Sequence, residues 1–128
     1  MLFKNLCGER LSALGLGCMR FPTFEGDDGR IDEAKAAEIV RFAMEHGVNY
    51  YDTAWAYHKS QSEPLMGRIL SAYPRGSFYL ASKFPGYSAE NLEKKEEIFS
   101  AQLERCRVDH FDFYLCHNVS DGNIDSYL

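Results

Sequence analysis

The chain has 128 residues, the size of one domain with a buried core, and carries 14 Lys plus Arg against 19 Asp plus Glu, a formal charge of −5. That acidic balance argues against a nucleic-acid or anionic-membrane surface, both of which need a basic patch. No apolar run approaches the roughly 20 residues of a membrane span, and the start, Met1-Leu2-Phe3-Lys4-Asn5, has no apolar signal region, so a cytoplasmic location is expected.

In chain order, Leu2–Leu6 and the start of the apolar run Leu11–Met19, around the turn Cys7-Gly8-Glu9-Arg10, predict a small hairpin over about residues 1–12 that leads into a first repeating strand. Asp32 caps a first helix and Gly47 stops it; between them Ala36, Ile39, Val40, Ala43 and Met44 form one apolar stripe. Val48–Asp52 reads as the second strand. Ser60 or Ser62 caps a second helix that buries Leu65, Met66, Ile69 and Leu70 and tolerates Pro64 in its first turn.

Phe78–Lys83 is the third strand, stopped by Pro85-Gly86. A long third helix is predicted from about Ser88 to Arg107, with Leu92, Phe99, Leu103 and Cys106 facing inward and Glu93–Glu97 as a solvated face. Phe111–His117 is the fourth strand, and the next helix would start at Ile124–Leu128. Strands alternating with helices imply a parallel α/β sheet with right-handed crossovers. Four such units, the last incomplete, amount to the N-terminal half of a (β/α)8 TIM barrel, which takes about 250 residues. Cysteines 7, 18, 106 and 116 form no C-x-x-C pair, so no zinc or iron–sulfur site is signalled and reduced thiols are expected.

Each strand's carboxyl end carries a group able to do chemistry. The first ends in Gly15-Leu16-Gly17-Cys18-Met19-Arg20, the second in Asp52 with Tyr57 in the loop beyond, the third in Lys83 and the fourth in His117. In parallel α/β architectures these ends share one face, where ligands bind. Taken singly, each has a plainer reading. Asp52 before Thr53 can cap a short turn, Tyr57 is one of eight tyrosines, and His117 can be a satisfied core histidine. Lys83 is harder to explain that way, because a lysine rarely ends a buried strand unless paired. His46, His58 and His110 have no supporting pattern and read as surface residues.

Together, Asp52, Tyr57, Lys83 and His117 suit proton delivery to a carbonyl. An ammonium beside a phenol favours the phenolate. Asp52 can pair with Lys83 and hold it, and a neutral imidazole at His117 can orient a carbonyl oxygen as charge builds there. No Ser–His or Cys–His nucleophile is evident, so a reductase is more natural than a hydrolase, with the hydride drawn from a cofactor.

Five stretches, Leu14–Arg20, Gly47–Tyr57, Ser62-Glu63, Ala81-Ser82-Lys83 and Asp112–His117, resemble in order the successive signatures of the aldo-keto reductases, across essentially the whole chain. The resemblance implies a (β/α)8 barrel with a hairpin across its floor and NADPH-dependent reduction of small aldehydes and ketones. It places the catalytic roles on Asp52, Tyr57, Lys83 and His117, with Tyr57 as general acid. It assigns nicotinamide-side contacts to Gly17, Cys18, Met19, Arg20 and Asp52. The similarity is to the group whose members often carry a C-terminal ferredoxin-like iron–sulfur extension; none is expected in this chain, nor any metal. In the family most NADP(H) contacts come from the barrel's second half, so the chain is expected to hold the catalytic residues without the full cofactor platform. A half barrel leaves its first and fourth strands as open edges, which offers a route to self-association by two copies supplying eight strands. The alternative from another class is a non-catalytic binding or interaction fragment that keeps the site residues by descent, since geometry rather than residue presence makes catalysis.

Overall fold

The computed structural model describes residues 1–128. Its first strands, β1 (Phe3–Leu6) and β2 (Glu9–Ser12), pair antiparallel as the expected hairpin, turning through Cys7 and Gly8, both at positive φ. Asn49 ties this hairpin to the sheet: its Oδ1 accepts from Ser12 N–H at 2.7 Å and its Nδ2 donates to Arg10 O at 3.0 Å. Tyr79 Oη adds a bond to Glu9 at 2.7 Å. Asn49 and Tyr79 stand where the strands Tyr50–Asp52 and Tyr79–Phe84 begin, so the hairpin covers the amino end of the sheet and leaves its carboxyl end open.

The sheet proper has four parallel strands in sequential order: β3 (Leu16–Gly17), β4 (Tyr50–Asp52), β5 (Tyr79–Phe84) and β6 (Phe113–Cys116). Register pairs Gly17 with Asp52, Asp52 with Ala81, and Lys83 with Leu115. This is the first half of a (β/α)8 barrel, with β3 and β6 as its edges. Alternation along β4 and β5 sends Tyr51, Leu80 and Ser82 toward the helices, and Asp52, Ala81 and Lys83 toward the opposite, inner face.

Helix α1 (Glu33–Glu45) starts where Asp32 accepts from Lys35 N–H at 3.1 Å. It ends in a Schellman arrangement: Gly47, at φ 84°, donates to Met44 O, and Val48 donates to Ala43 O at 2.9 Å. Ala36, Val40 and Ala43 are buried as expected, but Ile39 lies on the exposed flank. Helix α2 (Ser62–Leu70) buries Leu65, Met66 and Leu70. Neither expected serine caps it; Gln61 occupies that position, and Ser62 Oγ is drawn instead to Cys18 O and Thr53 Oγ1, each at 2.8 Å.

The long third helix is two pieces, α3 (Ala89–Leu92) and α4 (Lys95–Cys106), separated at Glu93-Lys94. Its buried stripe also differs from expectation. Ile98, Gln102 and Cys106 face the sheet, while Phe99 turns sideways onto Phe111 and Tyr114 at 5.9 and 4.9 Å between ring centroids. Gln102 can be buried because Glu63, Ser82 and Tyr114 meet it there with hydrogen bonds. Where α4 ends, Arg107 takes the left-handed turn at φ 55° without being glycine. The expected final helix is a single turn, Ile124–Ser126. The core is one cluster between sheet and helices, centred on Tyr51, Leu65, Met66, Leu70 and Leu80. No helix is long and apolar enough to cross a membrane.

Candidate active site

Asp52 and Lys83 leave adjacent parallel strands on the inner face near their carboxyl ends, and this alone brings them together. Lys83 Nζ lies 2.5 Å from Asp52 Oδ1, 2.9 Å from Thr53 O and 3.1 Å from Tyr57 Oη. The three contacts match the three N–H groups of an ammonium, so the lysine is fully occupied. Its side chain is 12% exposed and that of Asp52 29%, so the pair is substantially removed from water and carries more weight than a surface ion pair. Nζ also stands 4.7 Å from the centre of the Tyr57 ring. With Lys83 donating to its oxygen, the phenol keeps its own proton free to donate elsewhere.

His117 follows β6 and presents its ring edge-on to Tyr57, with centroids 5.7 Å apart. Tyr87 approaches the same imidazole from another side at 5.4 Å. His117 Nδ1 is buried with no hydrogen-bond partner. Burial, and after it the nearby Lys83 charge, holds the ring below its ordinary value of 6.5. The neutral imidazole that results keeps one N–H to offer a ligand.

Beside these groups lies a cleft of about 340 Å3, lined by Met19, Arg20, Asp28, Tyr57, Tyr87 and His117 among others. Gly17, Met19 and Arg20 are exposed at the end of β3, and a Cβ on Gly17 would meet no atom within 4 Å, so the surface there is open. Cys18 is different. It is fully buried, its N–H donates to Asp52 O at 2.8 Å, and its carbonyl accepts from Ser62. Burial pushes its thiol well above the usual range, so Cys18 offers a ligand no free polar group.

Three residues at the cleft carried no role in the sequence reading. Tyr87 follows Pro85-Gly86 in the loop after β5, so its position past a strand's carboxyl end was a usable signal. Asn118, at φ 55°, lies one residue past His117 and lines the same cleft. His58, read as a surface residue, is 3% exposed: its Nε2 accepts from Phe21 N–H at 3.0 Å and its Nδ1 faces Asp28. Both of those partners lie at least thirty residues away in sequence, so no local pattern marks the contact.

Behind the strand ends stands a second polar group. The Glu63 carboxylate is fully buried and accepts from Ser82 Oγ at 2.7 Å and Gln102 Nε2 at 2.6 Å. Gln102 Nε2 also lies 3.2 Å from Lys83 O, and its Oε1 accepts from Tyr114 Oη at 2.6 Å. Arg105, 3.4 Å from Glu63, stacks on Trp55 in the loop between Asp52 and Tyr57, with its guanidinium carbon 3.8 Å from the ring centre. Helix α4 thereby grips both the strand that carries Lys83 and the loop that carries Tyr57.

Residues 13–122 match the profile of the aldo/keto reductase family. The chain is 31% identical over 129 aligned residues to L-galactose dehydrogenase of Arabidopsis thaliana, covering 94% of this chain and 39% of that protein. Among solved structures, an aldo-keto reductase from Bacillus halodurans in its holo form superposes with a TM-score of 0.72 at 29% identity, over 93% of this chain and 40% of the other. An aldo-keto reductase from Klebsiella pneumoniae in complex with NADPH shares the fold at a TM-score of 0.70 and 23% identity, over 94% of this chain and 41% of that one. The chain thus spans about two fifths of the length of the relatives it matches.

Proposed function

The chain belongs to the aldo/keto reductase family, and from that premise we propose that it carries the proton-delivery half of an NADPH-dependent reductase of small aldehydes and ketones, with Tyr57 as general acid. The observation that carries this reading is the Lys83 ammonium in simultaneous contact with Asp52, Thr53 O and Tyr57 Oη.

The roles follow from that contact. Asp52 and the Thr53 carbonyl hold Lys83 in place and fix its direction. Lys83 donates to the Tyr57 oxygen, which turns the phenol's proton toward the cleft. As that proton passes to a carbonyl oxygen, negative charge appears on Tyr57 Oη, 3.1 Å from an ammonium already in place, so little reorganisation is needed. His117, held neutral by its surroundings, donates its remaining N–H to the same carbonyl oxygen and sets its angle of approach. Gly17, Met19, Arg20 and Asp52 would hold the nicotinamide end of NADP(H), with Cys18 shaping the backbone between them. When bound, the cofactor supplies the hydride that no side chain can. The second half of the barrel would provide the remaining walls.

The test is NADPH-dependent reduction of a small aromatic aldehyde by the wild-type protein and by Tyr57→Phe. Loss of the general acid lowers kcat by roughly 10²–10⁴ while aldehyde KM changes little. Wild-type kcat in Tyr57→Phe overturns the assignment. Saturable NADPH binding with no turnover of any carbonyl in the wild type would instead support a binding fragment that keeps the site by descent.

A further inference from the structure

Next to the proposed proton donor the backbone does something unusual. His58, Lys59 and Ser60 have φ values of 53°, 51° and 67°, three left-handed non-glycine residues in a row. Each costs free energy, and such a run persists only where its surroundings over-determine it. Here the surroundings are visible. The His58 ring is almost completely buried; Nε2 accepts the Phe21 N–H at 3.0 Å, and Nδ1 stands 3.0 Å from Asp28 O and 2.9 Å from Asp28 Oδ1. The Phe21 ring lies nearly parallel to it at 6.1 Å.

An Nε2 that accepts carries no proton, so the ring is neutral with its hydrogen on Nδ1, shared with Asp28. The N–H it accepts belongs to the peptide joining Arg20 to Phe21, and His58 itself follows Tyr57 directly. One imidazole therefore links the cleft's two walls, Met19-Arg20 on one side and Tyr57 on the other. We propose that His58 is a positioning residue: as a neutral acceptor it fixes the Met19-Arg20 wall at its working distance from Tyr57. That use of the wall rests on the reductase reading; the clamp itself does not.

Protonation undoes the arrangement. With hydrogens on both ring nitrogens, Nε2 meets the Phe21 N–H donor to donor, while the bond to Asp28 survives. The charged and titratable groups around the ring are Asp28 at Nδ1, Lys59 next in the chain and paired with Asp27 at 2.8 Å, and Arg20, Tyr57 and His117, which line the same cleft. The Lys59–Asp27 pair is mostly exposed and too weak to replace the lost bond.

Hydrogen exchange at the Phe21 amide and the nitrogen-15 shifts of His58 in the full 128-residue chain test this, in wild type, His58→Gln and His58→Leu. In wild type, exchange at Phe21, corrected for its intrinsic pH dependence, rises roughly tenfold as the imidazole gains its second proton. His58→Gln places an amide oxygen where Nε2 stood, so Phe21 stays protected at every pH and the step disappears. His58→Leu exchanges roughly tenfold faster throughout. A step that persists in His58→Gln, or full protection in His58→Leu, overturns the proposal. Should His58→Leu fail to fold, the comparison of wild type with His58→Gln decides by itself. None of these readouts needs turnover, so a chain inactive as a reductase still tests the clamp, and failure of the reductase reading shows separately in Tyr57→Phe.

Discussion

Gly67, in the middle of α2, is where the two helices behind the active site cross, and its replacement by alanine sets two effects against each other. Alanine gains about 1 kcal/mol of helix propensity over glycine, and a buried methyl adds about 0.8 kcal/mol, so local reasoning forecasts a more stable protein. The packing forecasts the reverse. A Cβ on Gly67 would lie 2.3 Å from Arg105 O, 2.8 Å from the Cys106 carbonyl carbon and 3.0 Å from Cys106 Cα. All three are main-chain atoms and cannot swing aside. Comfortable contact is about 3.5 Å, so α4 must withdraw by roughly 1 Å, a gap that forfeits a quarter to a half of the dispersion energy across the crossing. Overpacking of this kind costs about 1–3 kcal/mol. The same withdrawal stretches the 2.6 Å bond from Gln102 to Glu63, and leaving a buried carboxylate short of a donor costs about another 1–3 kcal/mol. The balance is a net loss of about 2 kcal/mol, which at the usual urea dependence lowers the unfolding midpoint by about 1 M. Gly76→Ala is the control, since no atom lies within 4 Å of its added Cβ. An equal or higher midpoint in Gly67→Ala refutes the argument that main-chain contact outweighs propensity here.

Two further predictions concern the site and the end of α4. Because the folded state holds His117 below 6.5, the unfolded chain binds the extra proton first as pH falls. The stability this group contributes is complete above 6.5 and is lost as pH drops toward the lowered folded value; His117→Asn should therefore shrink the difference in urea midpoint between about pH 7.5 and pH 5, and an unchanged difference counts against the assignment. Arg107→Gly should stabilise by about 0.5–1 kcal/mol, because the residue that closes α4 gives up a strained left-handed conformation while glycine returns part of the gain as unfolded-state entropy. A fall in Tm would contradict that account.

What could be read from the sequence tracks the range of the interactions involved. The cap at Asp32, the stop at Gly47 and the stripe Ala36–Val40–Ala43 involve neighbours within one or two turns, and each is found as expected. The strand-end residues were legible for a different reason: alternation of strands and helices places successive carboxyl ends on one face whatever the loops do. The break at Glu93-Lys94 is not legible in the sequence, because neither glycine nor proline marks it. The burial of Gln102 and His58 is not legible in the sequence, for a shared reason. A buried polar side chain is affordable only with partners, and theirs, Glu63 at 39 residues and Phe21 at 37, are brought close by the fold alone. Ile39 shows the converse, an apolar residue on a well-formed stripe that the half barrel leaves uncovered.

The hydrogen bonds around Gln102 run in one direction. Tyr114 donates to its amide oxygen, its amide nitrogen donates to Glu63, and Ser82 donates to the same carboxylate. Turning the amide over would set its oxygen against the Glu63 carboxylate and the Lys83 carbonyl, acceptor against acceptor, so its orientation is dictated from that end and the Tyr114 hydroxyl, able to donate or accept, follows. The four positions, on α2, β5, α4 and β6, therefore behave as one heritable unit. A change from Glu63 to glutamine replaces an acceptor-only group by one that can donate or accept, which relaxes the demand on residue 102 and, through it, on residue 114. Across related sequences these sites should vary together or stay fixed together, and one of them altered alone would identify a protein in which the helix layer has repacked behind the strand ends.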